Sequence, residues 1–252
     1  VPALVCYKPA QDECTVYSNF ANQDGISLHV NKVTCVAEDR DNNLWVGTDM
    51  GPLYLQIRNN EVEKHFVQFK IARNDGTNNA DYLLNETPIT HIAIDGANRK
   101  WMGTMNDGAY LISADNQQQM AHFKSENSNL ISNTLHNITI NPATGEVFFA
   151  TDNGLCSYQG DATEPQTDSE NAAYAYPNPV EPGYSGLIRI VNLSPNAYIK
   201  IVSTNGTLVK EGRSNGGMFT WDATDLRGKR VVSGVYMVLE ATEDGKSAAV
   251  CK

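Results

Sequence analysis

The chain has 252 residues, of which 41% are hydrophobic and 19% charged. That composition supports a packed core, and the length suits one large β domain or two smaller ones. A formal net charge of −10 excludes nucleic acid as the main partner, because phosphate binding needs a basic surface, and no apolar run approaches the ~20 residues needed to span a bilayer as a helix.

In chain order, residues 1–20, "VPALVCYKPAQDECTVYSNF", read as the outer strands of a blade whose inner strands are absent. With no signal peptide visible at Val1, the expectation is a C-terminal fragment of a longer protein. The next signal is a phrase stated three times: "LWVGTDMG" from Leu44, "KWMGTMNDG" from Lys100 and "VFFATDNG" from Val147. Trp45, Trp101 and Phe148 are equivalent, as are Thr48, Thr104 and Thr151, with spacings of 56 and then 47. An alternating strand precedes each phrase ("VTCVAED", "ITHIAID", "LHNITIN") and ends at Asp39, Asp95 or Asn141 before a polar turn. A third strand follows each glycine turn, and a fourth follows in the first two repeats, "KHFVQFK" and "MAHFKSE". Four short antiparallel strands in about 50 residues are the signature of a β-propeller blade.

The phrase reads as packing. Trp45 and Trp101 are expected to fill the spaces between blades, where a large flat side chain buries the most area. Gly47, Gly103 and Ala150 keep the face thin beside those rings, and Gly51, Gly108 and Gly154 turn the chain at positive φ. Three repeats are too few to close a ring, so an open arc or self-association through an uncovered blade flank is expected.

No chemistry-bearing motif competes with this reading. Asp39, Asp41 and Asn43 have the alternate spacing of a calcium loop, but Leu44 and Met50 stand where its glycine and glutamate belong. The five histidines lack metal-ligand spacing; His91 lies on an innermost strand, where it either faces a central channel or is packed. The five cysteines show no C-x-x-C pair and read as buried structural thiols, with a Cys6–Cys14 pairing across neighbouring strands as the alternative. No nucleophile elbow, phosphate loop or zinc motif occurs, so no catalytic residue, metal or cofactor is expected.

Residues 159–175 are polar and aperiodic and read as a linker between blades (1–158) and a second unit (176–252). From Pro177 onward there are nine Lys or Arg against seven Asp or Glu, whereas the rest holds ten against twenty-two. Short strand signals crowd this region, with Asn205-Gly206 and Asp244-Gly245 as hairpin turns. About seven strands in under 80 residues suggest a small immunoglobulin-like β-sandwich.

The series "YPNPV" (176–180), "NAYIKIVSTNG" (196–206) and "GGMFTWDATDLRGKRVVSGVYMV" (216–238) resembles the C-terminal domain of Bacteroidetes proteins linked to type IX (Por) secretion. The blades resemble the propeller repeat common in the same phylum. Ala223 departs from the family's usual glycine, a change expected to be harmless in a turn. The resemblance implies an all-β partial propeller followed by a sandwich, located extracytoplasmically at the outer-membrane cell surface. It further implies a non-enzymatic role, with type IX attachment-complex proteins as partners of the propeller and an anionic lipopolysaccharide or other glycan as ligand of the sandwich. Alternatives are the glycan-sensing propeller of a hybrid two-component regulator, or a secreted enzyme fragment carrying a sorting domain.

The candidate ligand residues are the cations of the second unit. Arg189 and Lys200 lie in alternating strands that send their charged ends outward. Arg213 precedes a glycine turn, and Arg227, Lys229 and Arg230 crowd one loop. Guanidinium forks suit phosphate better than ammonium does. Residues 177–252 are expected to bind the anionic ligand with salt-sensitive affinity, and the acidic blades to bind none.

Overall fold

A computed structural model of the chain describes residues 2–58, 61–63, 65–73, 76–166, 172–242 and 247–251. These residues form antiparallel strands, turns and isolated bridges, with no helix among them; none is therefore long and apolar enough to cross a membrane as a helix. The chain forms two compact units. One comprises Val1–Ile94, Asn98–Ile140 and Val147–Tyr158; the other comprises Asp95–Ala97, Asn141–Glu146 and Gln159–Lys252. Residues 167–171 of the expected linker, and the Asp244-Gly245 turn, lie outside the described residues.

The first unit begins with a hairpin of β1 (Leu4–Lys8) and β2 (Glu13–Tyr17). The first repeat forms a sheet of β3 (Val33–Glu38), β4 (Leu44–Thr48) and β5 (Gly51–Leu55). Two short hairpins follow, β6 (Ile57–Arg58) with β7 (Glu61–Val62), and β8 (Lys70–Ala72) with β9 (Ala80–Tyr82). The second repeat is a full four-stranded blade: β10 (Ile89–Ile94), β11 (Lys100–Thr104), β12 (Ala109–Ile112) and β13 (Gln119–Phe123). The third contributes β14 (Leu135–Ile140), β15 (Glu146–Thr151) and β16 (Gly154–Gln159).

Where a fourth strand is expected at "KHFVQFK", residues 65–69 form one bridge, Tyr54–Val67, and Lys70 opens β8. Gln68, next to Val67, does not extend the ladder, because the Gln23 side-chain amide takes both of its backbone groups: Gln68 N donates to Gln23 Oε1 (2.9 Å) and Gln23 Nε2 to Gln68 O (2.8 Å). A side chain here satisfies the polar groups that a strand would otherwise have to pair.

Packing between repeats follows the expected pattern. Trp45 is buried in a cluster with Ile89, Ile92 and Met102 of the second blade, and Trp101 in one with Leu135, Ile138 and Phe149 of the third. A Cβ on Gly47 would lie 2.6 Å from Cys35 Sγ and 3.0 Å from Ile89; on Gly103 it would lie 3.2 Å from Leu135 Cβ. These glycines bring the sheets close, while Gly51, Gly108 and Gly154 adopt φ of +112°, +72° and +117°.

The repeated threonine has a role that the motif alone did not disclose. Thr48, Thr104 and Thr151 donate their hydroxyls to the carbonyls of Gly51, Gly108 and Gly154 at 2.6, 2.8 and 2.9 Å. Each also accepts a backbone N–H from within the turn, from Met50, Asp107 or Asn153. The calcium-like spacing is explained as well: Asp39 accepts from the N–H groups of Asp41 and Asn43 at 3.0 Å and from the Trp45 indole at 3.2 Å. Among the described residues no His, Cys, Asp and Glu cluster could hold a metal.

The thiol expectation needs correction. No cysteine is fully buried and all five are free; Cys14 is exposed. Cys6 pairs with Thr15 and Cys14 with Tyr7, so strand alternation sends the two thiols to opposite faces of the hairpin.

The second unit packs two antiparallel sheets. One contains β17 (Tyr174–Tyr176), β18 (Ile188–Val191) and β21 (Phe219–Trp221). The other contains β19 (Tyr198–Ser203), β20 (Leu208–Arg213), β22 (Tyr236–Ala241) and β23 (Ser247–Cys251), in the order β20-β19-β22-β23. Ile188, Ile190 and Trp221 from the first share one core with Ile199, Ile201 and Val238 from the second, the packing of a β-sandwich. The Asn205-Gly206 turn closes the β19–β20 hairpin, with Gly206 at φ +84°. Residues 159–166 belong to this unit: Gly217 N donates to Thr163 O (2.9 Å) and Gln166 N to Leu193 O (3.0 Å).

Ala223 is not a neutral replacement. It sits at φ +56° and is buried in the sandwich core. A left-handed backbone crowds any Cβ, at a cost of about 1–2 kcal/mol per residue, so the position is strained rather than harmless.

Candidate ligand-binding site

The six candidate cations do not converge. Strand alternation turns Ile188 and Ile190 inward and Arg189 outward on the central strand of the three-stranded sheet. There it pairs across to Tyr176 on one side and Thr220 on the other. Tyr174 shares that outer face, its ring centroid 5.9 Å from that of Tyr176. Burial pushes the Tyr176 phenol above its ordinary pKa, and the adjacent Arg189 charge opposes the shift. Arg189 Nε is shielded from solvent and has no hydrogen-bond partner, so one donor of a fork-shaped cation remains to be satisfied.

Lys200 and Arg213 lie on the four-stranded sheet. Lys200 is exposed between Glu211 and Leu239, its ammonium 5.4 Å from the Tyr198 ring centroid. Arg213 pairs with Tyr198 and donates to Asn196 O at 2.8 Å. The Tyr198 hydroxyl donates to Glu211 Oε2 at 2.5 Å, a bond that holds the phenol pKa above its usual value. This face already carries its own carboxylate.

The third group is a tight turn. Asp225 Oδ1 accepts from the N–H groups of Arg227 and Lys229, both at 2.9 Å, and Thr224 bridges Arg230. Arg227, Lys229 and Arg230 are exposed there, and Arg230 donates to Tyr184 O at 2.7 Å. Beside this turn, loops 177–183 and 230–236 border a cavity of about 800 Å³ that reaches the sandwich core. Motif reasoning missed this cavity. The signals for it were the prolines of "PNPVEP" and the exposed β-branched run "VVSGV", which read as turn and strand, not as two lips.

The arrangement places an arginine with two tyrosines on one sheet face, a cation pair with its own carboxylate on the other, and a cationic turn beside a cavity. The stretch with a recognisable sequence is that of β3 and β4 in the propeller unit. The model of the family Two component regulator propeller matches residues 27–50, which span β3, β4 and the repeated phrase as far as Met50. No curated protein matches the chain.

Among solved structures, the chain is similar to PorZ, described as an essential bacterial surface component of the type IX secretion system of Porphyromonas gingivalis. The two are 26% identical, with a TM-score of 0.59, over 97% of this chain and 33% of PorZ. The chain thus spans about a third of that protein's length. A further match is the extracellular domain of a putative one-component system of B. thetaiotaomicron, 14% identical over 97% of this chain and 31% of that one, with a TM-score of 0.37. Another is a putative gluconolactonase, 12% identical over 60% and 46%, with a TM-score of 0.39. The propeller repeat and the PorZ likeness agree with the blade packing seen at Trp45 and Trp101.

Proposed function

We propose that the chain is part of a non-enzymatic surface component of type IX secretion. In this role the propeller engages attachment-complex proteins at the outer-membrane surface, and the sandwich, with an immunoglobulin-like arrangement, binds an anionic lipopolysaccharide or similar glycan. The observation that carries this reading is the likeness to PorZ across both units, 26% identical over 97% of the chain. Of the three cation positions, the Arg189 face suits a glycan best. Tyrosine rings offer flat apolar surface to a sugar ring, and a guanidinium beside them can fork onto a phosphate or carboxylate. Lys200 and Arg213 share their face with Glu211, which weakens their pull on an anion.

The test is binding of the full chain to an anionic and a neutral polysaccharide at low and moderate salt. The anionic ligand is expected to bind, with affinity falling as salt rises, and Arg189→Gln to lose most of that binding while the fold persists. Equal retention of both polysaccharides would reject the reading.

A further inference from the structure

The cavity at the end of the sandwich is a second candidate site with different chemistry. Its walls are core residues of both sheets: Ile188, Ile190 and Trp221 on one side, Ile201 and Val238 on the other. The cleft is partly open to solvent, and its volume of about 800 Å³ falls within the range of small-molecule sites. The sequence keeps it open. Pro177, Pro179 and Pro182 cannot donate backbone hydrogen bonds, so the lip they form cannot pair as a strand across the gap.

The polar atoms of the walls are already satisfied. Trp221 Nε1 donates to Thr224 O at 2.8 Å, and the Tyr236 hydroxyl to Val232 O at 2.7 Å. The interior therefore suits an apolar occupant, and polar recognition is confined to the rim. The rim is mixed. Val232 is 80% exposed and Val235 55%, and exposed apolar side chains clustered in this way mark a contact site. Beside them stand Arg230 on the cavity edge and Arg227 and Lys229 in the turn that leads to it. Among the described residues no carboxylate pairs with these three cations, and Glu181 on the proline lip is the acidic residue bordering the cavity.

We propose that this cavity takes the acyl chain of an anionic amphiphile, with the head group held at Arg227, Lys229 and Arg230. The inference does not rest on the polysaccharide reading: that one concerns Arg189 and a sugar surface, this one an apolar chain at the other cation group.

The experiment titrates the full chain with monomeric octyl, nonyl and decyl phosphate, followed by calorimetry and Trp221 emission. Affinity is expected to rise about fourfold per added methylene, as burial of one CH₂ implies. Decyl trimethylammonium is expected to bind at least tenfold more weakly than decyl phosphate. The triple variant Arg227→Glu, Lys229→Glu, Arg230→Glu keeps the chain-length dependence and loses the preference for phosphate. Ser233→Trp, on the exposed lip, blocks entry and abolishes uptake without altering the circular dichroism spectrum. An affinity independent of chain length would overturn the proposal. So would undiminished uptake by Ser233→Trp, or binding to anionic vesicles with no uptake of the monomers, which would assign the rim to a lipid surface. A deacylated anionic polysaccharide that still binds through Arg189 leaves this outcome separate from the preceding one.

Discussion

The second and third blades place equivalent residues in unlike surroundings. Trp101 pairs with Ala93 and Phe148 with Thr139 in the same register, yet Trp101 is 1% exposed while Phe148 is only partly buried. Trp101 lies against Leu135, Ile138 and Phe149 of the following sheet, within a flank completed by Ala93 and Ala121. The equivalents of His91, Ala93 and Gly103 in the third blade are Asn137, Thr139 and Ala150, so the two blades' own flanks are alike in being polar or small at these positions. The repeat dictates which way a side chain points, and the next sheet dictates whether it is buried.

The largest effect is expected from removing the rings. Trp101→Ala leaves a cavity between two sheets and is expected to cost about 3–5 kcal/mol, whereas Phe148→Ala should cost less than half as much because part of that ring is already in water. Urea unfolding followed by circular dichroism measures both. Equal losses would show that the flank of the third blade is as well packed as that of the second.

The small residue beside each ring sharpens the same contrast. Gly47→Ala puts a methyl group 2.6 Å from Cys35 Sγ and 2.9 Å from Thr34 Oγ1, an overpacking expected to cost about 1–3 kcal/mol. Gly103→Ala meets its nearest atoms at 3.2 Å and should cost less. Ala150→Gly, in the blade that already carries a methyl group there, is expected to lose only about 0.5–1 kcal/mol through backbone entropy. Thermal unfolding should rank the three in that order; a larger loss at Ala150 than at Gly47 would break the ranking.

An effect between those of Gly47→Ala and Ala150→Gly is expected at the threonine that closes each turn. Thr104→Val keeps the shape but removes the hydroxyl that donates to Gly108 O and accepts from Asp107 N, and should cost about 1–2 kcal/mol. Faster amide exchange at Asp107 is the direct readout, and unchanged protection there would remove the hydroxyl from the account.

Much of this was legible in the sequence, for reasons that can be stated. Period-two alternation and a thrice-stated phrase determine register, so Trp45, Trp101 and their glycines could be placed before any coordinates. The single bridge in place of a fourth strand could not, because the side chain that pairs there, Gln23, is 45 residues from Gln68. Alternation also sent Arg189 and Lys200 outward correctly, but it does not say which sheet a strand joins, and they lie on different sheets. The cavity was invisible for a similar reason: a lip is defined by what it fails to pair with. Ala223 was misjudged because a composition-level departure from glycine carries no φ until the turn is seen.

The last contrast is chemical. His91 and Asn137 occupy equivalent positions on the innermost strands of the two blades. The His91 ring is half-buried, and its Nδ1 accepts the backbone N–H of Ile138 at 3.4 Å, which requires that nitrogen to be unprotonated. Burial holds the imidazole pKa below its ordinary value of 6.5. The sign follows from that direction. Below the ordinary histidine range the unfolded chain takes up a proton that the folded blade resists, so the unfolded state gains stability as pH falls. The contribution is constant above that range, is lost as pH drops through it, and levels off below the depressed folded value. His91→Asn, which installs the residue the third blade already carries, removes the titration without adding charge. Carboxylates common to both proteins titrate at lower pH, so the difference in melting temperature between the two proteins, followed from pH 7.5 to 5.5, isolates this group. The wild type is expected to lose ground to the variant as pH falls. Parallel curves, or a wild type that gains on acidification, would mean that His91 is charged in the folded blade.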